Sequence, residues 1–440
     1  MSNALAHDFS YSAPSRAALS DDGGALWLAT SGGSAPHPRL FCGELPAPGV
    51  QAAALLTVAR CARSRYFDPA KAVLADPVVT CHADRLRFEA LSSCAGVYAR
   101  HDVDLGAADG DVARVGVTNV DINEETRVTL ARMLAGSVLL LDIGEDGVGF
   151  ATDTGAAFER RVDLPVRWVK GFGEVGALSA ELQPVAEIHG ALAQRFLRNL
   201  PVGGSDLWLT PAAREPRWSG SSSPGAIRVA GPQRLKLLAP LTRFVRALRV
   251  WGDEQGVSAW MADFGDAGRL TLMITPAISR GFSGEGATLS TLAAERLQPL
   301  ADAVSLELAW QPALSAATLA ARLDRPVAEV EAALPLVAAR GRAGFDLHDG
   351  AFFHRDLPYD LEQVEALHPR LRDARRLVAD GRIELEEEGR EAWVRSPNAT
   401  HRVRLTDDPP TCTCDWWLRH RGARGPCKHV LAAELARDGG

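Results

Sequence analysis

Long apolar runs are missing from this 440-residue chain. Nowhere do about 18 consecutive apolar residues follow one another, the length a helix needs to cross a bilayer. The opening stretch, Met1 to Ser20, has no basic segment leading into an apolar one, so no secretory leader is expected. These absences predict a soluble, cytoplasmic protein with no membrane role. Cysteine is also scarce. The 7 present are odd in number and unevenly spaced, which argues against a disulfide framework and for reduced thiols or metal ligation. Excess positive charge is lacking too: the net charge of −7 repels a polyanion at long range, so any nucleic-acid contact would have to come from a local basic patch. There is no Gly-Lys-Ser or Gly-Lys-Thr phosphate loop, no His-Glu-x-x-His and no carboxylate pair at helical spacing that suggests acid/base work, and the chain is read as a non-enzyme.

What is present is 46% hydrophobic, enough for several cores, so an α+β, multi-domain protein is expected. An N-terminal mixed domain spans 1–200. In it Val50 to Ala62 reads as an amphipathic helix, and Asn123 to Leu134 as another, capped by Asp121 or Asn123. Between Arg85 and Leu164, short alternating stretches such as Val138 to Ile143 and Val148 to Thr152 read as hairpin strands. Small residues from Trp218 to Gly225 mark a loop or linker. A second mixed region, 226–302, carries strands at Phe244 to Trp251, Val257 to Ala262 and Arg269 to Thr275, then a helix near Ala287 to Leu300. In 303–358 two helices meet at Asp324-Arg-Pro326 and two strands follow, the order of a winged helix-turn-helix. The last unit, 365–440, has strands at Glu391 to Arg395 and His401 to Leu405 and a helix from Cys427 to about Ala436, a ββα scaffold around a cysteine cluster.

That cluster carries the chemistry. Cys412-Thr-Cys414, twelve residues, then Cys427-Lys-His429 make a Cys₃His set, and tetrahedral zinc takes thiolates and imidazole readily. Four protein ligands leave no open position for water, so one structural Zn²⁺ is expected, not a catalytic one. Cys427 follows Pro426 at a helix start, where the positive dipole end favours thiolate.

The spacing C-x-C-x₁₂-C-x-H, with paired strands before it and Val430-Leu-Ala-Ala after it, resembles the SWIM zinc finger. Upstream phrases resemble full-length bacterial SWIM proteins: Leu91 to Arg100, Thr118 to Asp121, Arg280 to Gly286 and Phe352 to Pro358. The resemblance implies a setting with MoxR-type AAA ATPases and von Willebrand A domain proteins, and a role in binding DNA or protein. The leading expectation is an adaptor that recruits a protein partner. The alternative is a nucleic-acid-binding protein that uses Trp416, Trp417, Arg419, Arg421 and Arg424, aromatic planes and guanidinium groups able to stack on bases and hold phosphates. Against DNA stand Glu329, Glu331 and Pro335 in the helix that would enter the major groove. A third reading makes Cys94 a nucleophile with His101 nearby in sequence, although buried free thiols account more simply for Cys42, Cys61, Cys81 and Cys94.

Overall fold

The computed structural model describes residues 16–20, 23–27, 39–66, 77–133, 137–162, 164, 166–276, 281–284, 289–357, 368–386, 389–407, 409–422 and 424–438. Over these residues the chain is a mixed α+β structure with several sheets, and no described helix is long and apolar enough to cross a membrane. At its centre lies an eight-stranded antiparallel sheet. Its order is Gln183–His189, Ala247–Gly252, Ser258–Asp263, Arg269–Ile274, Val97–Asp104, Arg85–Leu91, Val78–Cys81 and Gly116–Asn119. The spans 1–200 and 226–302 both contribute strands, and one apolar core joins them, from Ala54 and Val58 to Leu272 and Phe282.

Local chemistry sets the element ends. Pro48 opens the helix Pro48–Arg63, where its fixed φ suits the first turn and its missing N–H costs nothing. Of the two caps considered for the next helix, Asn123 does the work: its Oδ1 accepts from the Thr126 N–H at 3.1 Å and starts Glu124–Ala131. The stretch from Trp218 to Gly225 is not a free linker. Arg217–Ser219 belongs to a three-stranded sheet with Leu207–Thr210 and Ile227–Val229. The Trp218 ring stacks on Phe196 and on Trp260 of the central sheet, 5.8 Å from each, so aromatic burial outweighs the turn-forming residues that follow.

The central sheet has two different faces. Along Arg85–Leu91 and Val97–Asp104 the alternate residues Leu86, Phe88, Ala99 and Val103 form the apolar side, against which helix Pro48–Arg63 packs. The opposite side carries Arg87, Glu89, Arg100 and Asp102, all buried, because the hairpin Ala343–Asp346/Ala351–His354 covers it. Asp346 receives Arg269 at 2.6 Å and Arg100 at 3.1 Å, while Asp102 receives Arg100 at 2.8 Å and Arg87 at 3.0 Å. Burial alone would raise the Asp346 carboxyl, but Arg100, Arg269 and Arg87 hold it well below the usual carboxylate range. Beside it, His82 Nε2 donates to the His354 carbonyl at 2.7 Å and His82 Nδ1 accepts from Arg87 at 2.9 Å. Arg355 bridges Glu89 and the Phe172 carbonyl.

Ahead of this hairpin, Ser315 caps the helix Ala316–Leu323, and Asp324 turns the chain at φ 51° into Val327–Ala339. The second helix is packed between Val166–Glu181 and Gln298–Leu308, with Val330, Leu334, Leu336 and Val337 buried. Gly173 permits the close approach, since a Cβ there would sit 3.0 Å from the Ala339 Cα. The helix expected near Ala287 to Leu300 is divided: Leu289–Ala293, a short turn, and then Gln298–Leu308, which starts on Pro299. Residues 285–288 lie outside the described residues.

Candidate metal centre

The last part of the chain builds a four-stranded sheet in the order Ile383–Glu386, Glu391–Ser396, Ala399–Arg404, Thr411–Cys412, with helices Pro369–Ala379 and Lys428–Asp438 packed on each other and on it. The two expected strands and the closing helix are present. The strand Ile383–Glu386 and the helix Pro369–Ala379 extend the unit upstream.

This scaffold brings Cys412, Cys414, Cys427 and His429 together. Their ligand atoms all lie within 4.8 Å of one another, and all four residues are buried. Cys412 sits at the end of the sheet, paired with Val403. Cys414 caps a short helix, Asp415–His420, by accepting from the Trp417 N–H at 3.5 Å. Cys427 precedes Lys428–Asp438 and accepts from the Val430 N–H at 3.4 Å. Two of the three sulfurs therefore sit at helix N-termini, where backbone N–H groups and the dipole favour thiolate.

The chemistry of the donors fits a soft divalent cation. Hydrogen bonds from the Cys412 and Cys427 thiols, with help from the Trp417 N–H, pull the Cys414 sulfur far below its ordinary value. Its bonds to Cys414 and Cys427, with burial, push Cys412 up. The Cys412 bond acts downward on Cys427, yet its bond to Cys414 and its burial still push it to about 11. Three thiols crowded this closely compete for protons, and a cation is what lets all three become thiolates together.

Around the centre stand residues that no local motif marks. Ser396 Oγ lies 2.8 Å from His429 Nε2, and the His401 ring packs against the His429 ring with centroids 4.3 Å apart. Arg370, on the helix Pro369–Ala379, donates to the Arg424 and Pro426 carbonyls at 2.8 and 2.6 Å and so holds the loop ahead of Cys427. Ser396 and His401 could have been suspected from the strands flanking the motif. Arg370 could not, because it lies more than forty residues upstream in sequence.

The five residues considered for partner or nucleic-acid contact divide into two groups. The Trp416 ring is covered by the Arg370 guanidinium at 4.7 Å and meets the His420 ring at 4.3 Å, with Arg424 5.8 Å away. Trp417 packs on the core of the unit. Arg419 and Arg421 face solvent beside Leu418, which is 60% exposed. A cleft of about 320 Å³ includes the centre itself: Cys414, Cys427 and His429 line it together with Arg370, His401, Asp415, Trp416 and Lys428.

The other candidates lie apart from this centre and have contacts of their own. Cys94 lies in the turn before Val97–Asp104, 3.6 Å from Ser92 Oγ and 3.5 Å from the Tyr66 nitrogen. The His101 nitrogens lie 2.7 Å from Gln51 Oε1 and 3.0 Å from the Arg269 carbonyl, so thiol and imidazole each contact other groups. Burial pushes the Cys61 and Cys81 thiols up, the latter to about 12. Within Gly281-Phe-Ser-Gly284 the Phe282 N–H donates to the Ala95 carbonyl at 2.8 Å, fixing this loop to the Ser92–Gly96 turn.

Comparison with known proteins adds the family of the last segment. The sequence model of the SWIM zinc finger matches residues 401–438. No curated protein matches the chain. Among solved structures the chain is similar to a PCNA2–PCNA3 complex from Sulfolobus tokodaii, at 10% identity over 54% of this chain and 99% of that one; with a TM-score of 0.41 the likeness bears on nothing further. The cluster of Cys412, Cys414, Cys427 and His429 thus lies within a SWIM zinc finger domain at residues 401–438 of this chain.

Proposed function

We propose that the chain is a zinc-binding adaptor: one structural Zn²⁺ holds the 365–440 unit folded, and the protein works by recruiting a protein partner, not by catalysis. When bound, the ion would offset two of the three thiolate charges, leaving a net −1, and would tie two helix starts to a sheet edge. The observation that carries the metal is the buried Cys₃His set, which uses all four positions of a tetrahedral ion. Purified protein is expected to hold about one equivalent of zinc by elemental analysis, lost on Cys414→Ser; a metal-free protein would overturn the reading.

A protein partner is favoured over DNA by the surroundings of the two candidate readers. In the winged-helix reading of 303–358, the recognition helix would be Val327–Ala339. Its C-terminal half is buried between two other helices, and its exposed start presents Glu329 and Glu331. In the finger, Arg370 already covers the Trp416 face that a base would stack on. The resemblance of the upstream phrases to bacterial SWIM proteins suggests a MoxR-type AAA ATPase or a von Willebrand A domain protein as the first partners to test. The decisive experiment is a pull-down from native extract with nuclease added. Protein partners that survive nuclease support the adaptor reading. Submicromolar binding to plain duplex DNA near 0.15 M salt would overturn it in favour of the exposed Arg419 and Arg421.

A further inference from the structure

The four ligands name the metal centre but not the atom through which the histidine binds, and here the geometry is specific. His429 turns Nδ1 toward the sulfurs, 3.9 Å from Cys412 Sγ, and turns Nε2 away to Ser396 Oγ at 2.8 Å. A sulfur at ~2.3 Å and a nitrogen at ~2.0–2.1 Å from one tetrahedral ion stand ~3.6 Å apart, close to the separation on the Nδ1 side. Resting on the zinc reading above, we propose that His429 ligates through Nδ1 and that Ser396 is its positioning residue, accepting the Nε2–H and fixing the imidazole in the one tautomer that leaves Nδ1 free.

The surrounding elements make this a built arrangement. Ser396 ends the strand Glu391–Ser396 and pairs with Ala399 across the hairpin, so its hydroxyl is presented from a rigid strand end. His401, on the returning strand, covers the face of the same ring. One hairpin therefore restrains His429 twice, at its edge by a hydrogen bond and at its face by packing. A neutral imidazole that gives one nitrogen to a metal must carry its proton on the other, and an oxygen acceptor there both selects the tautomer and raises the basicity of the ligating nitrogen.

The test reads the ring directly. Long-range proton–nitrogen NMR on the zinc-loaded, ¹⁵N-labelled full chain is expected to show His429 with a protonated Nε2 and a metal-bound Nδ1. Ser396→Ala is expected to raise the zinc dissociation constant by about 10–100-fold in chelator competition and to speed exchange of the Nε2 proton. Ser396→Thr, which keeps the hydroxyl, should recover most of the affinity. His401→Ala should leave the ligating nitrogen unchanged. Zinc bound through Nε2 in the unaltered chain would overturn this inference alone, whatever the variants do, and so would a Ser396→Ala affinity within twofold of the original. A chain that takes up no zinc would overturn the metal reading and this inference with it.

Discussion

The buried ion network between the central sheet and the hairpin allows a quantitative prediction. Asp346 is fully buried and its carboxylate faces Arg269 at 2.6 Å, Arg100 at 3.1 Å and Arg87 at 3.5 Å. Asp102 is the other carboxylate these three share. Asp346→Asn keeps the shape and one acceptor oxygen but removes the charge, leaving Arg87, Arg100 and Arg269 in a dry interface with Asp102 as their shared buried carboxylate. Removing one partner of a buried pair costs about 3–5 kcal/mol, chiefly through the charge left uncompensated. With Arg85 also within 3.6 Å, four cations face this carboxylate, and a cost within that range, about 4 kcal/mol, is expected from urea denaturation followed by tryptophan fluorescence. The loss should be local first, with faster amide exchange in 343–354 than in the sheet. Asp349→Asn is the comparison: it pairs with Arg85 at 2.6 Å and stands 3.6 Å from Arg269, but Asp349 and Arg85 are partly exposed, so its cost should be clearly smaller than that of Asp346→Asn. A loss under about 1 kcal/mol for Asp346→Asn, or unchanged exchange in the hairpin, would refute the view that these charges fasten the two parts together.

Other expectations follow from the same interfaces. Burial and the neighbouring Arg87 hold the His82 imidazole down to about 3, so the folded state refuses a proton that the unfolded chain accepts near 6.5; stability should fall as pH drops from 6.5, by about 1.4 kcal/mol per unit from this group, and His82→Gln should lessen the slope of urea stability against pH by about one proton. Glu434, on the finger helix near Ser290, is pushed to about 7, first by burial and also by Asp438, against the opposing pull of Arg437. Its stabilising share is complete below 4.5 and is lost as pH rises to about 7, so Glu434→Gln should be the more stable form at pH 8, by about 3 kcal/mol in the same assay, and equal stabilities there would contradict its burial as the neutral acid. If the chain binds nucleic acid, Arg419, Arg421 and Arg424 changed to Ala should weaken all sequences alike and flatten the salt dependence by up to about three phosphate contacts, whereas unchanged affinity would assign them to solvent.

How legible this was in the sequence depended on whether a signal was local. The ligand spacing and the Pro426 helix start act over a few residues and could be read directly, and the cap of Glu124–Ala131 could be narrowed to Asp121 or Asn123. The sequence does not single out the strand Arg85-Leu-Arg-Phe-Glu-Ala-Leu91, and its alternation does not show its surroundings: Arg87 and Glu89 look like a solvent face and are instead buried, because Asp346 and Arg355 arrive from more than 250 residues away. Trp218 looked like part of a linker because its aromatic partners, Phe196 and Trp260, lie on other elements. The phrases that resemble SWIM proteins also find a structural meaning. Leu91 to Arg100 and Thr118 to Asp121 supply residues of the central sheet itself, while Phe282 meets Ala95 and Arg355 meets Glu89, so all four reach that sheet, apart from the metal centre.

The apolar core of the C-terminal unit does not stop at its sequence boundary. Leu289, Leu292 and Val304 lie in one cluster with Leu336, Leu371, Val430, Leu431 and Leu435, and the finger helix rests on Leu289–Ala293. A segment cut out near residue 365 would carry an uncovered greasy flank, and the helices left behind would carry its mirror image. The stretch a family model recognises is therefore smaller than the piece that folds. On the zinc reading proposed above, loss of the ion would loosen not an appendage but one wall of the room in which Val327–Ala339 is held.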